Sequence, residues 1–415
     1  MSKKTLILFT IAFPYNKEVE NTFITPELDA LAEEFEKIYF VPTQIEGNLK
    51  QKLPLNSFIV TTYARKIKRF SFLLYAFLLA FTRKYTWEEL FFLLREFHFR
   101  KFLRWAKASA WGQATASWIE EFLLEEKIDI NNTLLYTYWF NNITSGLIFY
   151  KLNKSVDISV VTRAHGGDLY EERFNPKYFP YRPFVLKHIK RVYLISEQGK
   201  KYLSDKYPKW ISKFAVARLG VTFHAHTTPI PKAQMPIRIV SCSSLIPIKR
   251  VEMIFDAINS LDTTNIEWIH FGNGPLYKEL NAIILENKHQ NISVQLKGFI
   301  DNQDIFQFYK NNYIDLFVNA STTEGVPVSI MEAQSFGIPV IAPNIGGISE
   351  IVNQETGFLI NNLASSSEIR NQINNYIANR DTWTSKRDAI KQFCFDNYDS
   401  SINAQIFIKL INSNY

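Results

Sequence analysis

The chain of 415 residues has little cysteine, only Cys242 and Cys394. Two thiols build no disulfide framework, and no Cys/His cluster has zinc-ligand spacing. A reducing cytoplasm suits such a chain, and both thiols read as inert core residues. Long apolar runs are missing too. The stretch from Phe70 to Thr82 has 13 residues, about 20 Å as a helix against a hydrocarbon core of about 30 Å. Internal repeats, low-complexity tracts and a D-x-D motif at a convincing strand end are also lacking. The opening "MSKKTLILFTIAFP" has the basic start of a signal peptide but no small-residue cleavage site, and its β character marks a buried first strand.

What the chain has is apolar and aromatic. Hydrophobic residues make up 47% and charged residues 21%, with 34 Phe, 20 Tyr and 8 Trp. That composition belongs to a packed globular protein, and the length suits two domains. The formal net charge of +7 favours an acidic partner.

Strand and helix patterns alternate from the first residues. "TLILFT", the helical "TPELDALAEEFEK" and "IYFVPT" make a β-α-β opening. "NTLLYTYWF", "ISVVTRAHGGD", "RVYLISEQG" and "FAVARLGV" continue it. The polar, Pro-punctuated residues 223–236 read as a linker. The rhythm then restarts with "IRIVSCSSL", "IEWIHFGNG", "ISVQLKGF", "IDLFVNAS" and "IPVIAPN". The expected fold is α/β with two doubly wound Rossmann-like domains facing each other. The N-terminal domain spans 1–222 and contains a helical insertion at 63–107. The C-terminal domain spans 237–395, and a helix at 396–415 packs back on the first domain. Ligands of such sheets lie beyond the carboxyl ends of strands. His165, Gly166 and Gly167 fall there, as do Lys249, Gly272, Gly274 and Glu324.

Residues 321–342, "STTEGVPVSIMEAQSFGIPVIA", run from a strand end through a turn into a helix. A helix N-terminus attracts anions, yet Glu324 and Glu332 bracket this one. A carboxylate accepts from adjacent hydroxyls of a sugar or ribose, whereas a diphosphate needs N–H donors or a Lys. Acids therefore flank an anion site when the ligand carries hydroxyls at its ends and a diphosphate between. The N–H groups of Gly325, Val326 and Val328 are the candidate donors, and Pro327 has none.

"EGVPVSIMEA" resembles the E-x7-E pattern of retaining GT-B glycosyltransferases, the "glycosyl transferases group 1" family. "LIPIKR", "GNGP", "LKGF", "IAPNIGGISEIV" and "TGFLI" resemble further motifs of that family in its usual order, and "RAHGGD" resembles its N-terminal His loop. The resemblance implies a GT-B fold and transfer of a sugar with retention from a nucleotide-sugar, a UDP- or GDP-sugar, without a metal ion or other cofactor. It implies that Glu332 binds ribose hydroxyls, Glu324 contacts the donor sugar, and Lys249 neutralises the diphosphate. Gly272 and Gly274 would form the G-x-G-P turn, with Gly298 and Phe299 beside the base. His165 would hydrogen-bond the transferred sugar on the acceptor side, with Gly166, Gly167 and Asp168 in the same loop. One departure stands out: Ser244 occupies the place of the family's phosphate-clamping Arg, and Arg250 is the candidate substitute. Taken singly, Glu332 also reads as a first-turn helix acid, Lys249 and Arg250 as a solvated loop, and His165 as a structural histidine. His188, His224, His226 and His270 read as structural. A non-catalytic nucleotide-sugar-binding scaffold and a sugar-nucleotide epimerase are the rival functions.

Residues 63–107 carry eleven Lys and Arg against Glu88, Glu89 and Glu96, interleaved with Phe, Leu, Tyr and Trp at helical spacing. That pattern suits helices lying on an anionic membrane. A helical insertion packed on the first domain is the plainer reading, and nucleic acid lacks a recognised motif. The expected partners are a nucleotide-sugar, a glycan or lipid-linked acceptor and an anionic membrane surface. The expected location is the cytoplasm, peripheral to the inner face of the cell membrane.

Overall fold

The computed structural model describes residues 4–15, 20–49, 52–95, 98–223, 235–262, 265–362 and 365–413. It divides into two compact units, residues 1–218 with 404–415, and residues 219–403. Most of the expected linker, residues 224–234 with His224 and His226, lies outside the described residues.

The first unit holds a seven-stranded parallel sheet of β1 (Lys4–Thr10), β2 (Phe35–Pro42), β3 (Ser57–Ile59), β4 (Thr133–Thr137), β5 (Ser159–Ala164), β6 (Arg191–Leu194) and β7 (Phe214–Val216). The strand order is β3-β2-β1-β4-β5-β6-β7. Both faces are covered, as a parallel sheet requires. Leu6 and Leu8 enter one core, and Ile7 and Phe9 the other. The helix expected over "TPELDALAEEFEK" stops at Glu34, because Phe35 is buried as the first residue of β2 beside Lys4 of β1.

Between β3 and β4 the chain runs through Thr62–Ile67, α1 (Phe70–Ala80), α2 (Lys84–Arg95) and α3 (Phe99–Glu125). The 27 residues of α3 bury Trp105, Ala108, Trp118 and Ile119 against the sheet side of the unit. None of the helices among the described residues is long and apolar enough to cross a membrane.

The second unit holds a six-stranded parallel sheet of β8 (Ile237–Cys242), β9 (Ile266–Phe271), β10 (Ile292–Leu296), β11 (Leu316–Val318), β12 (Val340–Pro343) and β13 (Gly357–Ile360), in the order β10-β9-β8-β11-β12-β13. Two of its helices matter below, α4 (Asn302–Asn311) and α5 (Val328–Ser335). The last helix, α6 (Ser400–Asn412), places Phe407 and Ile411 in the core of the first unit. There the fully buried Arg163 ion-pairs with Glu27 at 2.5 Å and lies 4.2 Å over the Phe407 ring. Desolvating a guanidinium is costly, and the carboxylate and ring offset that cost.

In each sheet the strand order reverses once, between β1 and β4 in the first unit and between β8 and β11 in the second. A doubly wound sheet opens a crevice at that switch point.

Candidate active site

In the second unit the loops after β8 and β11 meet at the switch point. The β8 loop ends in a short turn, Pro247–Lys249. The Thr322 N–H donates to the Ile248 carbonyl at 2.8 Å and ties the two loops together. Lys249 Nζ then reaches Glu324 Oε1 at 2.5 Å, with both side chains mostly shielded from solvent. The G-x-G turn after β9 supports this loop from behind. A Cβ on Gly272 would lie 1.8 Å from the Ser243 carbonyl oxygen, and one on Gly274 would lie 2.4 Å from that of Leu245. Any side chain there would push the Lys249 loop away. These two glycines hold the loop by close approach of backbone to backbone. Gly298 joins the same layer, its carbonyl accepting from the Gly272 N–H at 2.8 Å, and the neighbouring Phe299 ring is 77% exposed.

Glu332 sits one turn into α5, buried, and accepts a hydrogen bond from Asn302 Nδ2 at 2.7 Å. Burial pushes its carboxyl up to about 7, against the opposing pull of the Asn302 bond. The site therefore combines a charged Lys–Glu pair with an acid poised near neutrality. Between them the turn runs through Gly325 to Pro327, whose backbone precedes α5. The N–H groups of Gly325, Val326 and Val328 donate to no acceptor among the described residues. The Gly325 carbonyl accepts from the Gly347 N–H at 2.7 Å, which fixes the turn from the far side.

Arg250, the candidate phosphate clamp, donates to backbone in this structure. Its backbone is left-handed at φ 47°, and its Nε donates to the Ala320 carbonyl at 2.6 Å. Its Nη2 lies 3.4 Å from the carbonyls of Ser321 and Asn362. The guanidinium is thus spent on bracing the chain after β11. Ser244 is exposed.

In the first unit, His165 follows β5 and is buried in an aromatic box. Its ring lies 4.4 Å from Trp139, 5.1 Å from Tyr138 and 6.2 Å from Phe23, measured between centroids. Nδ1 makes a capping contact with the one-turn helix Gly166–Leu169 that is too loose for a hydrogen bond, and stands 3.8 Å from Asp168 Oδ2. Nε2 has no hydrogen-bond partner among the described residues. Asp168, expected on the acceptor side, has its carboxylate committed to backbone. Its carboxylate accepts from the N–H groups of His165 at 2.5 Å and Phe140 at 2.7 Å, joining the loops after β4 and β5. Gly166 is buried, whereas Gly167 is exposed with open space where a side chain would stand.

Three residues of these clusters carried no signal in the sequence. Glu20 accepts from the N–H groups of Ile11, Ala12 and Phe13 and from Trp139 Nε1 at 2.5 Å, so it links the loops after β1 and β4 at the switch point. Trp139 packs on His165, and Asn302 holds Glu332. Each belongs to no motif, and only the strand order brings it to its partner. His270 is structural, as its context suggests: Nδ1 pairs with Ser241 Oγ at 2.9 Å and Nε2 with the Ser243 carbonyl at 3.1 Å. The described residues contain no group of three or more His, Cys, Asp or Glu able to hold a metal ion.

Residues 225–393 match the model of the family "Glycosyl transferases group 1". The matched segment contains Lys249, Gly272, Gly274, Gly298, Phe299, Glu324 and Glu332, and all of the strands of the second sheet. A curated relative, the putative colanic acid biosynthesis glycosyltransferase WcaL of Salmonella typhimurium, is 28% identical over 158 residues, which are 36% of this chain and 38% of the relative. The match thus spans well under half of that relative's length. Among solved structures, the lipopolysaccharide outer core galactosyltransferase WaaB superposes with a TM-score of 0.69 at 14% identity, covering 99% of this chain and 100% of its own. HepE of Anabaena, in complex with UDP-glucose, gives 0.65 at 14% identity, covering 99% and 100%. At such identity these neighbours establish the fold, which is GT-B.

Proposed function

We propose that the chain is a glycosyltransferase that moves a sugar from a nucleotide-diphosphate donor to a glycan or lipid-linked acceptor of a surface polysaccharide, with retention of configuration. The observation that carries this reading is the meeting of Lys249 and Glu324 at the β8/β11 switch point, beside undonated N–H groups and the buried Glu332. The diphosphate would lie against the Gly325–Val328 turn and draw the Lys249 ammonium from Glu324. The ribose hydroxyls would donate to Glu332, and the Phe299 ring offers a face beside the base. Glu324, released from Lys249, would accept from hydroxyls of the sugar.

As the glycosidic bond breaks, negative charge grows on the leaving diphosphate. Lys249, the turn N–H groups and the α5 dipole are aimed at that charge. They supply the neutralisation without a metal ion. In the first unit, Nε2 of His165 has no partner among the described residues, which makes it that unit's candidate group for a sugar hydroxyl. Retention would follow from attack on the face that the leaving phosphate departs, with that phosphate taking the acceptor proton. The similarity to WcaL and WaaB supports a surface-polysaccharide acceptor, and the UDP-glucose complex of HepE makes UDP-sugars the first donors to try.

The test is a thermal-shift and turnover panel of nucleotide-sugars. A true donor at about 100 times its Kd stabilises the fold by about 2.7 kcal/mol. It should also release nucleoside diphosphate only when a glycan acceptor is present. A panel in which no nucleotide-sugar stabilises the protein would refute the reading.

A further inference from the structure

Ten of the 21 exposed large apolar side chains among the described residues fall between residues 70 and 103. They are not scattered. On α1, Phe70, Leu74 and Leu78 stand on one face, spaced by four, while Ala76 and Ala80 on the opposite face are fully buried. On α2, Phe91, Phe92 and Leu94 are exposed while Tyr85 and Leu93 are buried. Trp87 connects the two helices. Its Nε1 donates to the Phe81 carbonyl at 2.8 Å, and its ring lies 5.5 Å from Phe81 and 6.2 Å from Phe91. A helix that is apolar on every side normally lies in a core; α1 leaves Phe70, Leu74, Tyr75 and Leu78 exposed. A cluster of exposed apolar side chains marks a surface that meets a partner.

The charges beside the patch choose the partner. Arg69, Arg95 and Arg100 are exposed at the helix ends. Of the acids, Glu88 is paired with Lys84, and Glu89 is turned inward to the Tyr178 hydroxyl at 2.5 Å and the Tyr181 N–H at 3.0 Å. Glu96 lies outside the described residues; among the described residues the outward face is apolar with a basic border. A second copy of this surface would set like charges against each other. An anionic bilayer accepts both components, rings and Leu below the headgroups and guanidinium groups among them.

We infer that the outer faces of α1 and α2 insert shallowly into an anionic bilayer, and that the apolar component dominates. The second point departs from what charge alone suggests. Several bases of the segment already have partners on the protein itself: Lys66 pairs with Glu121 and Lys68 with Glu46 at the surface, and Arg104 donates to the carbonyls of Pro176 and Tyr178. The surface works independently of the transferase reading and stands whether or not a sugar donor is found.

The experiment uses the full chain with vesicles of phosphatidylcholine and phosphatidylglycerol. Binding should persist at about 1 M salt, where the Debye length is about 3 Å, falling by less than about tenfold. The pair Phe91→Ser with Phe92→Ser should weaken binding by at least about tenfold, with an unchanged melting temperature. The pair Arg95→Glu with Arg100→Glu should weaken it less. On the wild-type chain, brominated lipid should quench tryptophan fluorescence, and Trp87→Phe should remove most of the quenched fraction. This arm survives any folding defect of the serine variants. Loss of all binding at high salt would overturn the dominance of insertion. Failure of the wild type to bind vesicles would overturn the membrane surface. So would a dimer in light scattering that Phe91→Ser with Phe92→Ser dissolves.

Discussion

His270 and His165 both belong to the carboxyl-end layer of a parallel sheet, one in each unit, and their surroundings are opposite. His270 is buried with both ring nitrogens engaged, Nδ1 by Ser241 Oγ and Nε2 by the Ser243 carbonyl. Burial pushes its pKa down to about 4, so the ring is neutral. His165 is as well buried, yet its Nε2 meets no polar atom among the described residues and its neighbours are the rings of Phe23, Tyr138 and Trp139. Burying a polar group without a partner costs about 1–3 kcal/mol. A fold keeps such a group only where something else compensates. One histidine has both ring nitrogens engaged by the fold, and the other has neither engaged among the described residues.

The largest expected effect separates the two. His165→Ala should lower turnover of the identified donor and acceptor by about 10²–10³-fold, the scale of a lost polar catalytic contact. Nucleotide affinity should stay within about twofold, because Lys249 and Glu332 are untouched. His270→Ala should do the reverse, costing about 1–3 kcal/mol in denaturant unfolding with little change in turnover of the folded fraction. Equal losses of turnover in both variants would erase the distinction.

Lys249→Ala comes next. It should weaken a nucleoside diphosphate by about 2–3 kcal/mol, the worth of a charge-assisted bond. A nucleoside should lose less than about 0.5 kcal/mol. Calorimetric titration of both ligands decides this, and equal losses would reassign the lysine. Removal of the ammonium also leaves Glu324 without its partner, so part of the loss would be repulsion of the diphosphate.

The contrast between the two histidines was only partly legible in the sequence. Apolar runs of strand length, each ending in Gly or polar residues, set out both sheets apart from β3 and β13, because parallel strands are buried on both faces and read as nearly continuous. They located His165, Lys249 and Glu324 at strand ends. The runs carry no information on side-chain partners. Lys249 and Arg250 are adjacent and both basic, yet one reaches a carboxylate and the other the backbone, because the chain turns left-handed at Arg250. Asn302 and the bond from Glu20 to Trp139 were invisible for a related reason: the partners are distant in sequence and belong to other loops, while the bonds of Glu20 to Ile11, Ala12 and Phe13 follow from a loop turn that no motif marks. The short β3, three residues long, and the early end of the helix before Phe35 were set by pairing in the sheet, which no local pattern encodes.

Glu332 gives a smaller effect with a defined pH dependence. Its carboxyl sits at about 7 in the folded protein, against an ordinary 4.5. Between those values the folded state holds a proton that the unfolded chain has lost, so stability falls as pH rises through that window. Glu332→Gln should remove this slope and raise stability at pH 8 by about 1–3 kcal/mol. The same change should weaken a nucleotide-sugar by about 1–2 kcal/mol, since a neutral amide accepts hydroxyls less strongly than a carboxylate. Wild-type affinity should rise from pH 6 to pH 8 and that of the variant stay flat. A nucleotide-sugar is the proper ligand, because its diphosphate does not titrate in this range. A parallel slope in both proteins would exclude Glu332 as the titrating group.

The smallest effect on ligand belongs to Arg250. With Nε on the Ala320 carbonyl and Nη2 facing those of Ser321 and Asn362, its guanidinium braces the chain after β11. Arg250→Ala should therefore change diphosphate affinity by less than about 0.5 kcal/mol, while lowering stability by about 1–3 kcal/mol through lost charged hydrogen bonds. The left-handed backbone adds a second handle. Alanine at φ 47° keeps the steric cost of its Cβ, whereas glycine has none. Arg250→Gly should accordingly be more stable than Arg250→Ala by up to about 1 kcal/mol, with the same affinity for diphosphate. A loss of diphosphate affinity comparable to that of Lys249→Ala would return Arg250 to the phosphate site, and would require its side chain to leave the Ala320 carbonyl when the ligand binds.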